Sequence, residues 1–244
     1  MTQLRAGLGL WLSTPNLALL ELARARGVAA VVLDVEHGTF DLAELDRTIL
    51  LAGALGLPVY AKVLAPDRGP IQQPLDFGAA GVIIPHVAGI AHAQAVTAFA
   101  KFPPSGSRSF AGGRTIGYGA PGDDFFQDQD RATLCLPMIE SAEALADVEA
   151  ILALDTVDGL FVGPSDLSLR RGRGRYQRSD EDYADLERIA SAASRAGKPW
   201  IMPAWTALEQ QWARELEARL LIVADEQAIL ADGLDAALAV AIIK

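Results

Sequence analysis

Short apolar runs rich in β-branched residues alternate with longer stretches of helical spacing from one end of the chain to the other. The runs cover residues 8–12, 29–33, 59–63, 82–84, 134–139, 159–162, 200–202 and 220–223. Between most of them lie Ala- and Leu-rich segments with apolar positions three and four apart, at 16–26, 41–55, 90–100, 142–154, 181–195 and 207–217. The first set predicts strands and the second amphipathic helices. Strands that are apolar on both faces belong in a parallel sheet covered by helices. Eight of them in 244 residues is one per about 30, the length of a βα unit.

Such a sheet either stays open and doubly wound or closes into a barrel. An open nucleotide-binding sheet usually carries a Gly-rich turn after its first strand. Here the chain reads Leu12-Ser13-Thr14-Pro15-Asn16. The expected fold is therefore α/β, a single-domain (β/α)8 TIM barrel over residues 1–244. A Gly/Pro-rich loop at 102–130 interrupts the rhythm, and loops of that length are usually functional or oligomer contacts. A last helix is expected at about 226–241.

The chain is 51% hydrophobic and 21% charged, enough apolar material for a core without staples. Its single cysteine, Cys135, rules out an intramolecular disulfide, fits a reducing cytoplasmic compartment, and reads as a small core residue. No apolar run approaches the roughly 18–20 residues of a membrane span. The first seven residues lack a long apolar stretch after a basic start, so no secretory signal is expected. The 21 basic and 31 acidic residues give a net charge of −10, which argues against a nucleic-acid binder or docking on an anionic membrane.

In a parallel barrel the active site lies at the C-terminal strand ends, and ionisable residues concentrate there. Asp34-Val35-Glu36-His37-Gly38 follows strand two, Lys62 lies on strand three, and His86 follows strand four. Glu140 follows strand five, Gly163-Pro164-Ser165-Asp166 follows strand six, and Asp225-Glu226 follows strand eight. Glu140 and Asp166 stand on adjacent units, where two carboxylates can share a hard cation such as Mg²⁺, Mn²⁺ or Ca²⁺. Read singly, each is equally a helix cap or first-turn acid. His37 suits proton transfer near neutral pH, with Asp34 and Glu36 near enough to orient it. Lys62 reads as a Schiff-base nucleophile, a cation for a developing enolate, or a snorkelling side chain. His86 reads as packing at the mouth and His92 as a surface residue. The cluster Arg170, Arg171, Arg173, Arg175 and Arg178 reads first as a solvated loop, second as a grip for a phosphate or a coenzyme A tail.

Four stretches together resemble the HpcH/HpaI group of metal-dependent class II pyruvate-type aldolases. They are Leu33-Asp34-Val35-Glu36-His37-Gly38, Pro74-Leu75-Asp76-Phe77-Gly78-Ala79 with Gly81-Val82-Ile83-Ile84-Pro85, Phe102-Pro103-Pro104-Ser105-Gly106-Ser107-Arg108, and Met138-Ile139-Glu140-Ser141 with Val162-Gly163-Pro164-Ser165-Asp166. The resemblance spans about residues 8–172. It implies a barrel with a divalent metal (Mg²⁺, Mn²⁺ or Co²⁺) on Glu140 and Asp166. It implies a homohexamer built from two trimers, with the last helix exchanged between subunits. It implies that His37 is the acid/base and that Asp76 supports it. Gly163, Pro164, Ser165 and Asp166 would line the place of the substrate carboxylate. The implied activity is reversible cleavage of 4-hydroxy-2-oxo acids to pyruvate or hydroxypyruvate and an aldehyde. An acyl-coenzyme A lyase and a non-catalytic 2-oxo-acid-binding barrel are the alternatives. The chain departs from the family pattern in carrying Lys62 where many members have arginine, and Met138 where some have glutamine. A lysine keeps the charge but loses the planar fork.

Overall fold

The computed structural model describes residue 4 and residues 6–242; residues 1–3 and 5, on which part of the reading for a secretory signal falls, lie outside the described residues. Eight strands close into a barrel in sequence order. They are β1 (Gly7–Leu12), β2 (Ala30–Asp34), β3 (Val59–Lys62), β4 (Gly81–Ile84), β5 (Leu134–Ile139), β6 (Leu160–Val162), β7 (Trp200–Pro203) and β8 (Leu220–Asp225). Every adjacent pair is parallel, including β8 with β1. The (β/α)8 barrel expected from the alternating pattern is the fold observed. Among the described residues no helix is long and apolar enough to cross a membrane.

The barrel holds two layers of core. Val32, Tyr60, Ile83, Leu136, Phe161, Ile201 and Ile222 fill its interior. The alternate residues Val31, Leu33, Val82, Ile84, Cys135 and Val162 face outward against the helices. This two-sided burial is why the strands read as unbroken apolar runs. It also explains Cys135, which is fully buried and whose thiol burial pushes far up, leaving it inert.

Several helices begin at side chains that cap them. Asp41 with Glu44, Ser179 with Asp182 and Thr206 with Glu209 form capping boxes. Three helices were not expected from the pattern: Arg68–Asp76, Phe125–Ala132 and Pro164–Arg170. The first carries Gly69, Pro70 and Pro74, residues that normally argue against a helix. The second lies at the end of the long Gly/Pro-rich segment, where Phe125 and Phe126 pack edge-on against Phe102 and Phe110. The last helix covers Glu226–Ile242.

Candidate active site

The two-residue period of the strands decides which side chains enter the mouth. Val32 and Tyr60 point inward, so Asp34 and Lys62, two residues on, do too. By the same count Leu136 and Met138 lead to Glu140, and Phe161 leads to Gly163. Strand register then sets the neighbours: Asp34 pairs with Lys62, and Ile139 with Val162, which brings Glu140 beside Gly163.

One side of the mouth is built around Lys62, which is 5% exposed. Its Nζ lies 3.3 Å from Asp34 Oδ1 and in direct contact with Glu36 Oε2. Trp11 closes the group, donating from Nε1 to Asp34 Oδ2 at 3.2 Å while its ring lies 5.8 Å from the ammonium. Lys62 is thus committed to two acids as an ion-pair partner rather than presented as a free amine. Burial pushes the Glu36 carboxyl up, but Lys62 and His86 together reverse this and hold it below its ordinary value.

Asp34 also shapes the turn after β2. Its Oδ1 accepts the His37 backbone N–H at 3.2 Å, and its carbonyl accepts Gly38 N–H at 3.0 Å. A Cβ on Gly38 would fall 2.2 Å from the Asp34 carbonyl oxygen and 2.5 Å from that of Ser13. Only glycine fits this close approach. The turn presents the His37 ring to solvent, 68% exposed, with Nε2 3.6 Å from Glu36 Oε2. Asp34 therefore orients His37 through its backbone, not its ring.

The other side of the mouth holds Glu140 and the helix Pro164–Arg170. Glu140 is 1% exposed and accepts the His86 backbone N–H at 2.6 Å. Burial raises its pKa, the His86 N–H opposes this, and the neighbouring charge of Asp166 adds to the rise. The two carboxylates therefore stand close enough to repel. A Cβ on Gly163 would lie 2.9 Å from both Cβ and Oε2 of Glu140, so the missing side chain makes room for that carboxylate. Among the described residues no group of three or more His, Cys, Asp or Glu forms a metal cage. A pair of hard oxygen donors, one of them raised chiefly by burial and further by the other's charge, fits a divalent cation that keeps other positions for water or substrate.

Three residues at the mouth have roles that the sequence did not reveal. His86, read as packing, has a positive φ of 58° and bridges the two sides, its ring Nε2 bonded to Glu36 Oε1 and its backbone N–H to Glu140 Oε1. Its position directly after an apolar strand was the available signal. Arg170 donates from Nη2 to His86 Nδ1 at 2.8 Å. Glu226, 2% exposed, accepts Ser13 N–H at 3.2 Å and Thr14 N–H at 3.3 Å, tying the end of β8 to the end of β1.

Asp76 is placed elsewhere. Its helix runs back toward the N-terminal end of the barrel, and it accepts Arg108 Nη2 at 2.7 Å. The structure shows no contact of Asp76 with His37 within one chain, because chain direction carries Asp76 away from the mouth. The arginine-rich stretch is not a free solvated loop either. Arg171 pairs with Asp185 at 3.1 Å, Arg173 with Asp182 at 3.1 Å and Asp185 at 2.7 Å, and Arg178 with Glu209 at 3.0 Å.

The model of the HpcH/HpaI aldolase/citrate lyase family matches residues 7–211. The chain belongs to this family. It is 36% identical over 235 residues to the 4-hydroxy-4-methyl-2-oxoglutarate aldolase tasA of Hapsidospora irregularis, covering 93% of this chain and 86% of that protein. It is 33% identical over 205 residues to a hydroxypyruvate/pyruvate aldolase of Pseudomonas aeruginosa, covering 80% of this chain and 76% of that one. The crystal structure of an HpcH/HpaI aldolase from Desulfitobacterium hafniense superposes with a TM-score of 0.89 at 25% identity, covering 97% of this chain and 92% of that one.

Proposed function

We propose that this member of the HpcH/HpaI family is a divalent-metal-dependent, class II aldolase. It reversibly cleaves 4-hydroxy-2-oxo acids to pyruvate or hydroxypyruvate and an aldehyde. The observation that carries the reading is the buried Glu140 packed against Gly163 at the start of the turn that carries Asp166, and linked through His86 to Glu36 beside the His37 turn. Glu140 and Asp166 would hold Mg²⁺, Mn²⁺ or Co²⁺. Bound there, the cation supplies Lewis acidity toward the keto oxygen of the substrate.

The chain's own groups do the rest. The backbone N–H groups of Ser165 and Asp166 would receive the substrate carboxylate; the Gly163 N–H is spent on the Ile139 carbonyl at 3.2 Å, and Pro164 has no N–H, so these two shape the turn. Lys62, fixed by Asp34 and Glu36, places a positive charge at the wall of the mouth, where negative charge develops on the keto oxygen. His37, acting through water, takes the proton of the 4-hydroxyl as the C3–C4 bond breaks and the aldehyde leaves. The same proton is then returned to C3 to give the methyl of pyruvate. In the synthetic direction the two transfers reverse. Asp76 supports His37 in this reading only from a second copy of the chain, consistent with a hexamer of two trimers. The coenzyme A alternative is weakened because Arg171, Arg173 and Arg178 are spent on acids of the same chain.

The test is a screen of 4-hydroxy-2-oxo acids, with lactate dehydrogenase reporting pyruvate and a separate assay for hydroxypyruvate, run with and without added metal. Release that needs Mg²⁺, Mn²⁺ or Co²⁺ is the expected result. Release that survives chelation, together with borohydride trapping of pyruvate on the protein, would move the chemistry to a Lys62 Schiff base.

A further inference from the structure

The arginine cluster contains one member that behaves unlike its neighbours. Arg171, Arg173 and Arg178 each end on a carboxylate on the outside of the barrel. Arg170 turns the other way. It is the last residue of the helix Pro164–Arg170, it is exposed, and among the described residues its one hydrogen bond goes to His86 Nδ1 at 2.8 Å. That bond fixes the imidazole as the tautomer with its proton on Nε2, donated to Glu36 Oε1, and its lone pair on Nδ1. The ring thereby becomes a strut. One end is anchored by Glu36, itself locked to buried Lys62, and the other end holds a guanidinium over the mouth.

The electrostatics point the same way. Asp34 and Glu36 are matched by Lys62. Glu140 and Asp166 are matched by a cation in the reading above. Among the described residues Arg170 has no carboxylate ion-pair partner, although its charge reaches Glu140. A guanidinium carries five N–H donors in a planar fork, and one is used here. The open donors suit the two oxygens of a carboxylate. Arg170 Nη2 lies 2.8 Å from His86 Nδ1, and that Nδ1 lies 3.3 Å from Glu140 Oε1, which keeps the guanidinium within reach of the far end of a short diacid whose head is held beside Glu140. Ser165 and Asp166 would then serve one end of a substrate and Arg170 the other.

We propose that Arg170, held by His86, is the specificity residue for a second, distal carboxylate. The substrate class is then a 2-oxo diacid: a 4-hydroxy-2-oxo dicarboxylate in the cleavage direction, and a carboxylate-bearing aldehyde or ketone as acceptor in the synthetic one. This rests on the aldolase reading for the position of the substrate head, and it adds what the tail must be.

The experiment is titration calorimetry of the Mn²⁺-loaded protein with 2-oxoglutarate and with 2-oxopentanoate, which has the same chain length and a methyl in place of the distal carboxylate. The wild type is expected to bind 2-oxoglutarate more tightly by roughly 10- to 100-fold, the usual worth of a charged hydrogen-bonded pair. In Arg170→Gln that ratio should fall to within about 3-fold, and in Arg170→Lys it should be intermediate, since the charge stays and the fork is lost. Equal affinity for the two acids in the wild type would overturn the proposal, whether or not the variants fold. So would a ratio unchanged in a folded Arg170→Gln. Failure of both acids to bind would instead sink the aldolase reading itself, a different outcome.

Discussion

At the scale of single residues, the mouth is a set of buried charges that only work in company. Lys62 sits between Asp34 and Glu36, whose side chains are 7% and 9% exposed. Removing the ammonium leaves two carboxylates in a protected site. Lys62→Met should lower unfolding free energy by about 3–5 kcal/mol, measured by urea denaturation, whereas Lys62→Arg should recover most of it. Unchanged stability in Lys62→Met would mean that the pair is solvated and unimportant to the fold. Gly163 is the second sensitive point. Gly163→Ala sets a methyl 2.9 Å from Glu140 Cβ and Oε2, so the carboxylate must move. Mn²⁺ affinity is expected to fall by at least about 10-fold, as for loss of groups that orient metal ligands, and the thermal midpoint to fall as well, since the Glu140 Cβ is buried and cannot swing away. Full metal affinity in that variant would show that Glu140 has slack.

At the scale of elements, capping fixes the start of several helices, and the clearest case is Asp182. Burial pushes its carboxyl up, but the N–H groups of Ser179 and Gln177, the Ser179 hydroxyl and Arg173 outweigh this and hold it below the ordinary 3.8. A depressed folded-state pKa means that the ionised form stabilises the fold above the unfolded value, and that the contribution vanishes as pH falls through the folded value. Asp182→Ala should therefore cost about 1–2 kcal/mol at neutral pH, with the gap to the wild type narrowing below about pH 3.8. A gap independent of pH would assign the loss to packing alone. The elements also show what the sequence can convey. The strands were legible because both faces are buried, and the β5–β6 acids because a carboxylate directly after an apolar strand has few places to go. The helix Arg68–Asp76 was hidden by its prolines, of which Pro70 falls in the first turn, where the missing N–H costs nothing. Beyond His37 with Asp34 and Glu36, which are near in sequence, most charge partners were not legible. That Asp34 meets Lys62 depends on strand register, and that His86 reaches Glu36 depends on a positive φ at one residue.

At the scale of the whole molecule, the last helix is the part with unfinished contacts. Leu230, Leu234 and Leu238, spaced four apart along Glu226–Ile242, are 54%, 63% and 59% exposed. Such a row costs free energy in water unless another surface covers it, and exchange of this helix between subunits would cover it. Light scattering after size exclusion is expected to give a mass several times the 25.9 kDa of one chain, and Leu234→Glu to reduce it. A monomer in the wild type would remove the hexamer and, with it, the support of His37 by Asp76 from another copy.

The pairing of Glu140 with Asp166 around one divalent ion is the claim on which the proposed chemistry stands, and binding tests it without any substrate. Mn²⁺ titration followed by electron paramagnetic resonance is the direct measurement. The wild type should take up one ion per chain in a saturable site, and Glu140→Gln and Asp166→Asn should each lose it while keeping the wild-type circular dichroism. Uptake of Mn²⁺ with equal affinity in both folded variants would contradict the account.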